Sequence, residues 1–175
     1  YTATFTPDGD DEYNINVVGD KYHDEAGNYN LEAETFTWIS DRTCPTITSF
    51  TAAPGSYRED QSIEITANTN EPIQDGSTTT VTLNNTNSNN ADSNKEIVLT
   101  AAQAGNTMVG TYTVKAGDTS SSLAVSSFTV GTVKDTVGNP MTSTTVPTQM
   151  FSEIVIDTTP PTVSSFTTST TAGYY

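Results

Sequence analysis

The sequence predicts an all-β chain of tandem antiparallel β-sandwiches joined by short proline-containing linkers. Three observations carry that prediction. Short runs alternate apolar and polar residues, as in Ser62-Ile63-Glu64-Ile65-Thr66-Ala67, the pattern of a strand with one buried face. Gly, Pro, Asn and Asp punctuate these runs, and helical periodicity is almost absent. Finally, Asp157-Thr158-Thr159-Pro160-Pro161-Thr162, followed by Val163-Ser164-Ser165-Phe166, matches Asp41-Arg42-Thr43-Cys44-Pro45-Thr46, followed by Ile47-Thr48-Ser49-Phe50. Proline cannot donate to a ladder and holds its predecessor extended. Both copies therefore read as stiff hinges between units, and so long a period marks tandem domains.

Residues 1–44 read as the C-terminal part of one sandwich. Tyr1, Ala3 and Phe5 alternate with threonines as a strand, and Pro7-Asp8-Gly9-Asp10 is turn chemistry. Tyr13, Ile15 and Val17 form the next inward row, Asp24-Glu25-Ala26-Gly27-Asn28 is a tight loop, and Thr35 to Ile39 closes with Phe36 and Trp38 on one face. Trp38 is expected in a core. Three strands alone make a poor one, so this segment should need further strands.

Residues 45–157 read as one complete sandwich of seven or eight strands. They are Thr46–Phe50, Ser62–Ala67, Thr79–Leu83, Glu96–Thr100, Thr107–Val114, a run through Leu123, Val125, Phe128 and Val130, and Phe151–Ile156. Glu71-Pro72 should interrupt a strand, and residues 84–95 should form a long polar loop. The apolar positions slip phase near Ser126-Ser127, as a bulge would cause. Residues 158–175 begin a further unit.

Composition narrows function. Of 175 residues only 33% are hydrophobic, and 21 acidic side chains against 6 basic leave a net charge of −15. Such a field repels nucleic acid and anionic membrane, so neither is an expected partner. Cys44 is the single cysteine, which rules out an internal disulfide. It takes the place of Pro160 in the repeat and reads as a small linker residue. The lone histidine, His23, has no nucleophile or carboxylate at catalytic spacing. The carboxylate pair Glu32 and Glu34 lacks a cleft, and no glycine-rich phosphate loop is present. The chain is therefore not expected to be an enzyme.

Tyr1-Thr2-Ala3-Thr4-Phe5-Thr6-Pro7, the Asp24-x-x-Gly27-Asn28 loop and Phe36-Thr37-Trp38 resemble the C-terminal half of a bacterial immunoglobulin-like repeat. Val130-Gly131-Thr132-Val133-Lys134-Asp135-x-x-Gly138-Asn139-x-Met141, together with Ile156-Asp157-Thr158-Thr159-Pro160-Pro161, resembles a sibling repeat. These are repeats of large cell-surface and adhesin proteins, and the resemblance spans essentially the whole chain. It implies an extracellular stalk of immunoglobulin-like modules, often rigidified by calcium, whose partners are neighbouring repeats of the same long chain.

One acidic constellation invites a metal. Asp24 and Asn28 precede Asp41 by a strand and a loop, and Asp135 and Asn139 stand in the same relation to Asp157. Each loop and the linker that follows it would meet at one pole. Carboxylates, amide carbonyls and backbone oxygens suit calcium, whereas zinc, copper or iron would call for His and Cys. Asp-x-x-Gly-Asn is also ordinary turn chemistry. Besides the calcium-stiffened spacer, two readings stay open: a subunit of a self-assembling filament or sheath that adds a strand to its neighbour, and an adhesive tip presenting the loop 84–95.

Overall fold

The computed structural model describes residues 2, 4–89, 95–148, 151 and 153–167. Tyr1 and Ala3 of the expected first strand, residues 90–94 of the polar loop and residues 168–175 of the last unit lie outside them. Among the described residues the chain is all-β and has no helix, so none is long and apolar enough to cross a membrane. Twelve strands run β1 Asp11–Ile15, β2 Phe36–Ser40, β3 Ile47–Thr51, β4 Gly55–Tyr57, β5 Ser62–Ile73, β6 Thr78–Leu83, β7 Thr86–Asn87, β8 Glu96–Thr100, β9 Gly105–Thr113, β10 Asp118–Ser120, β11 Val125–Phe128 and β12 Ile154–Asp157.

Alternation makes the core. β5 buries Ile63, Ile65, Ala67, Thr69 and Ile73, β6 buries Thr79, Val81 and Leu83, and β8 buries Ile97 and Leu99. These strands lie in a six-stranded sheet of order β11-β6-β8-β9-β5-β3, and a four-stranded sheet runs β4-β12-β10-β7. Residues of both sheets, from Ile47 through Phe128 to Ile156, form one hydrophobic core. Each fully buried Ile, Leu or Phe contributes about 1.5–3 kcal/mol of transfer free energy before entropy is charged against it. Two glycines let backbones meet: a Cβ on Gly110 would stand 2.5 Å from the Val98 carbonyl oxygen, and one on Gly131, at φ +56°, 1.9 Å from that of Thr78.

The chain enters and leaves this body at opposite ends of β5. At the Ile73 end, Asn70 N donates to Thr46 O over 3.1 Å and Ile73 bridges Asp135. At the Ser62 end, Ser62 pairs with Thr113, and the turn that follows binds the exit linker through Gly117 N to Thr158 Oγ1 at 3.1 Å. Twelve residues of strand separate the two ends, roughly 35 Å at about 3.3 Å per residue.

Several expectations need correcting. Glu71-Pro72 does not stop its strand; β5 runs on to Ile73, with the register to β9 slipping between Asn68 and Ile73. A bulge is where a strand tolerates a proline that cannot donate. The slip near Ser126 is present, between Val125 and Ser127 against β6. The short strands β4, β7 and β10 were not anticipated. In residues 4–44 the regular structure is a single β1–β2 ladder, so the described part of the expected strand through Phe5 is irregular. Its inward row is open: Ile15 and Val17 are exposed, and Trp38 is only half-buried.

Candidate metal centre at the first joint

The carboxylates of Asp41, Glu71 and Asp135 each offer an oxygen within 4.8 Å of the others. Three elements converge to place them. Asp41 opens the linker into β3, Glu71 sits in the irregular stretch of β5, and Asp135 bridges Ile73 two residues further on. Asp135 is wholly buried, whereas Asp41 and Glu71 are half-buried.

The loop after Asp135 is built on its side chain. Oδ1 accepts the N–H groups of Val137 at 2.9 Å, Gly138 at 2.6 Å and Asn139 at 2.8 Å, while Oδ2 accepts Asn139 Nδ2 at 2.6 Å. Gly138 takes φ +109°, open to glycine and strained for other residues. Asn139 Nδ2 also faces the carbonyls of Asp41 at 2.9 Å and Thr43 at 3.2 Å. Asn139 thus clamps the linker to the loop. A second acid supports the linker from the other side: Asp10 accepts Arg42 N at 2.6 Å and Thr43 Oγ1 at 2.5 Å, and the Arg42 guanidinium donates to Pro7 O.

The electrostatics divide these acids. Burial raises the Asp135 pKa, but the donated hydrogen bonds from Asn139, Gly138 and Val137 outweigh it and hold the group below the usual aspartate value. The Thr43 hydroxyl leads the same effect on Asp10. Glu71 moves the other way. Burial pushes its pKa up, the Asn70 hydrogen bond opposes this, and the negative charges of Asp41, Asp135 and Asp10 push it further.

Of the six residues expected to bind metal, Asp41, Asp135 and Asn139 come together. The loop meets the linker that precedes its sheet body, not the one that follows, because strand β12 carries the chain to the far end of β5. Asp157 lies there, its Oδ1 accepting Thr159 N at 2.9 Å. Asp24 and Asn28 make a self-contained exposed turn: Asp24 Oδ1 accepts Ala26 N and Asn28 N, each at 2.9 Å, and Oδ2 accepts Asn28 Nδ2 at 2.9 Å. The Asn28 amide leads in holding the Asp24 pKa down. Neither Asp24 nor Asp157 belongs to the acidic group. His23 packs edge-on against Tyr29 at 5.8 Å, and Cys44 is half-buried and free.

Two features escaped sequence reasoning. Glu71 could have been noticed as the acid of a Glu-Pro pair placed inside an alternating strand. Asp118 had no signal. It is buried, accepts Lys115 N at 2.7 Å, Tyr112 Oη at 2.5 Å and Asn87 Nδ2 at 2.7 Å, and its own carbonyl accepts Thr158 Oγ1 at 3.1 Å. Burial, then the hydrogen bond and charge of Asp118, push the Tyr112 pKa far up. The exit linker therefore rests on a buried polar network, while the entry linker rests on a half-buried acidic one. Comparison with family models, with curated proteins and with solved structures returned no match to the chain.

Proposed function

We propose that the chain is a non-enzymatic structural module, a stretch of tandem immunoglobulin-like sandwiches that serves as an extracellular spacer or stalk. The observation that carries this reading is mechanical. The linkers leave from opposite ends of β5, and β4, the strand that follows β3, lies parallel to the last strand β12, with Gly55, Ser56 and Tyr57 opposite Ile154, Val155 and Ile156. Tension applied at the two linkers would slide these strands along each other. The hydrogen bonds between them then carry load together instead of opening one by one. Short linkers held by Asn139 at one end and Thr158 at the other limit bending.

Forced unfolding of single molecules held at the two linkers tests this. The expected result is one cooperative high-force event for the 45–157 body, weakened by Val155→Pro, which deletes an N–H from the closing strand. Extension at low force with no such event sinks the reading.

The same proposal gives the entry joint to calcium. The donor set is all oxygen, with three carboxylates on three elements and no nitrogen or sulfur ligand, as a hard divalent cation requires. Asp41, Glu71 and Asp135 would hold the ion, whose charge would offset both the burial and the neighbouring acids that raise Glu71. Calorimetric titration with calcium should give heat in the wild type and none in Asp135→Asn. Absence of heat up to millimolar calcium, the range of extracellular modules, removes calcium and leaves the mechanical reading standing.

A further inference from the structure

The two edges of the six-stranded sheet are built alike. Its edge strands are β3 and β11. In β3, Ile47 and Ser49 stand opposite Thr69 and Asn68, so Thr48 is an extra residue. In β11, Val125 and Ser127 stand opposite Leu83 and Thr82, so Ser126 is extra in the same way. Each extra residue carries a hydroxyl that donates to a carbonyl of the neighbouring strand. Thr48 Oγ1 donates to Asn68 O over 3.1 Å, and Ser126 Oγ to Thr82 O over 3.0 Å. In both strands Ser and Phe follow, so Thr48-Ser49-Phe50 and Ser126-Ser127-Phe128 are one device used twice.

The core does not ask for either insertion. A chain lacking Thr48 would still alternate Ile47, Ser49 and Phe50 opposite Thr69, Asn68 and Ala67. One lacking Ser126 would alternate Val125, Ser127 and Phe128 opposite Leu83, Thr82 and Val81. What the insertions change is the course of the edge, because a bulge bends its strand and steepens the local twist. Six strands laid flat at about 4.8 Å each would hold the two edges roughly 24 Å apart. Yet the rings of Phe50 and Phe128, one from each edge strand, meet with centroids 5.8 Å apart. The sheet is curled, and a bulge precedes each of the rings that meet across it.

A straight, open edge is a template for another strand. The four-stranded sheet ends in β4 and β7, of three and two residues, which are too short to offer one. Among the described residues, every edge of the two core sheets is therefore either bulged or very short.

We propose that the Thr48 and Ser126 bulges guard the two long edges, curling them over the core so that neither accepts a strand from a second copy. This goes beyond the spacer reading, and single-molecule pulling does not test it. Where such bodies stand in tandem at high local concentration, guarded edges keep neighbours from adding or exchanging strands.

Deletion of Thr48, of Ser126 or of both tests the proposal on the full chain. Sedimentation is followed over a micromolar-to-millimolar series, with amide exchange in β3 and β11. The deletion variants should keep the cooperative melt of the body. They should associate at about tenfold lower concentration than wild type, since a straightened edge offers several new cross-strand pairs. The edge N–H groups should gain protection in the associated fraction. Variants that fold and associate no more readily than wild type overturn the proposal. A second measurement does not depend on how the variants fold. Wild type is titrated with a peptide of residues 78–83, the strand that already pairs with β11 on its inner side, and amide resonances are followed. The resonances of β3 and β11 should stay where they are. A peptide that adds to either edge of the wild type overturns the proposal as well.

Discussion

Residues 4–44 and 45–157 are written in the same alphabet, threonine-rich and alternating, and reach different ends. The second stretch closes a core in which Phe50, Ile63, Ile65 and Leu99 are fully buried; the first leaves Leu31, Phe36 and Ile39 at 89%, 64% and 69% exposure. Alternation specifies that a strand has an apolar face, but only enough neighbouring strands can cover that face. Among the described residues the difference is one of strand number and closure.

The sharpest test of this contrast uses the repeated phenylalanine. Phe50→Ala empties a site between β3 and β11, where the Phe50 and Phe128 rings meet edge-on at 5.8 Å. It should cost about 3–5 kcal/mol in chemical denaturation. Phe166→Ala, at the matching position, should stay within about 0.5 kcal/mol in the dilute monomer. Equal costs would show that the last described segment packs on a core after all.

A smaller effect is expected from the network under the exit linker. Tyr112→Phe removes the hydroxyl that donates to Asp118 and accepts Asn85 Nδ2 at 2.8 Å. It leaves a buried carboxylate short of a donor, at a cost of about 1–3 kcal/mol. The tyrosine should also resist ionisation in alkali until the body unfolds, read by absorbance at the phenolate band. A tyrosine complement that titrates fully before unfolding would contradict the burial of this ring.

The two Asp-x-x-Gly-Asn loops form a matched pair, one in each region. Asp135→Ala strands the N–H groups of Val137, Gly138 and Asn139 and releases the Asn139 clamp, which should lower stability of the body by about 1–2 kcal/mol. Asp24→Ala breaks the same turn on an exposed loop and should leave the main unfolding transition where it is, with amide exchange faster only around Ala26 and Asn28. A shift of the main transition by Asp24→Ala would show that the first region folds together with the second.

The strands that were legible in the sequence are those long enough to show a period: β1, β2, β3, the first half of β5, β6, β8, β9, β11 and the Ile154 and Ile156 pair of β12. The bulge beside Ser126 was legible because buried positions cannot change phase without one. What was hidden is what pairing decides. β4, β7 and β10 have two or three residues each and are too short for a pattern. Pro72 reads as a breaker until the bulge that accommodates it is known. The end of the sheet on which the Asp135 loop sits follows from the Ile73 bridge, which no local spacing encodes. The expected grouping of Asp135 and Asn139 with Asp157 is therefore split between the two linkers, and Glu71, read in the sequence only as part of a Glu-Pro strand breaker, lies beside Asp41 and Asp135.

Glu71 gives the smallest and most discriminating prediction, because its sign depends on conditions. Its folded pKa lies above the ordinary glutamate value, so its ionised form costs stability at neutral pH and that cost fades as pH falls through the raised pKa. Asp135 behaves oppositely: its contribution is present above the ordinary aspartate pKa and is lost only as pH falls through its own lowered value. Without calcium, Glu71→Gln should therefore be more stable than wild type at pH 7. Screening at a half-exposed site limits the gain to a few tenths of a kcal/mol, up to about 1. The gain should shrink to nothing in mild acid, before the Asp135 contribution goes. With calcium the order should invert, since wild type gains a bound ion and the glutamine variant loses a ligand. Thermal melts at two pH values, each with calcium and with chelator, separate the cases. An advantage for Glu71→Gln that persists in millimolar calcium would mean that the three acids merely repel one another at a joint whose stiffness comes from Asn139.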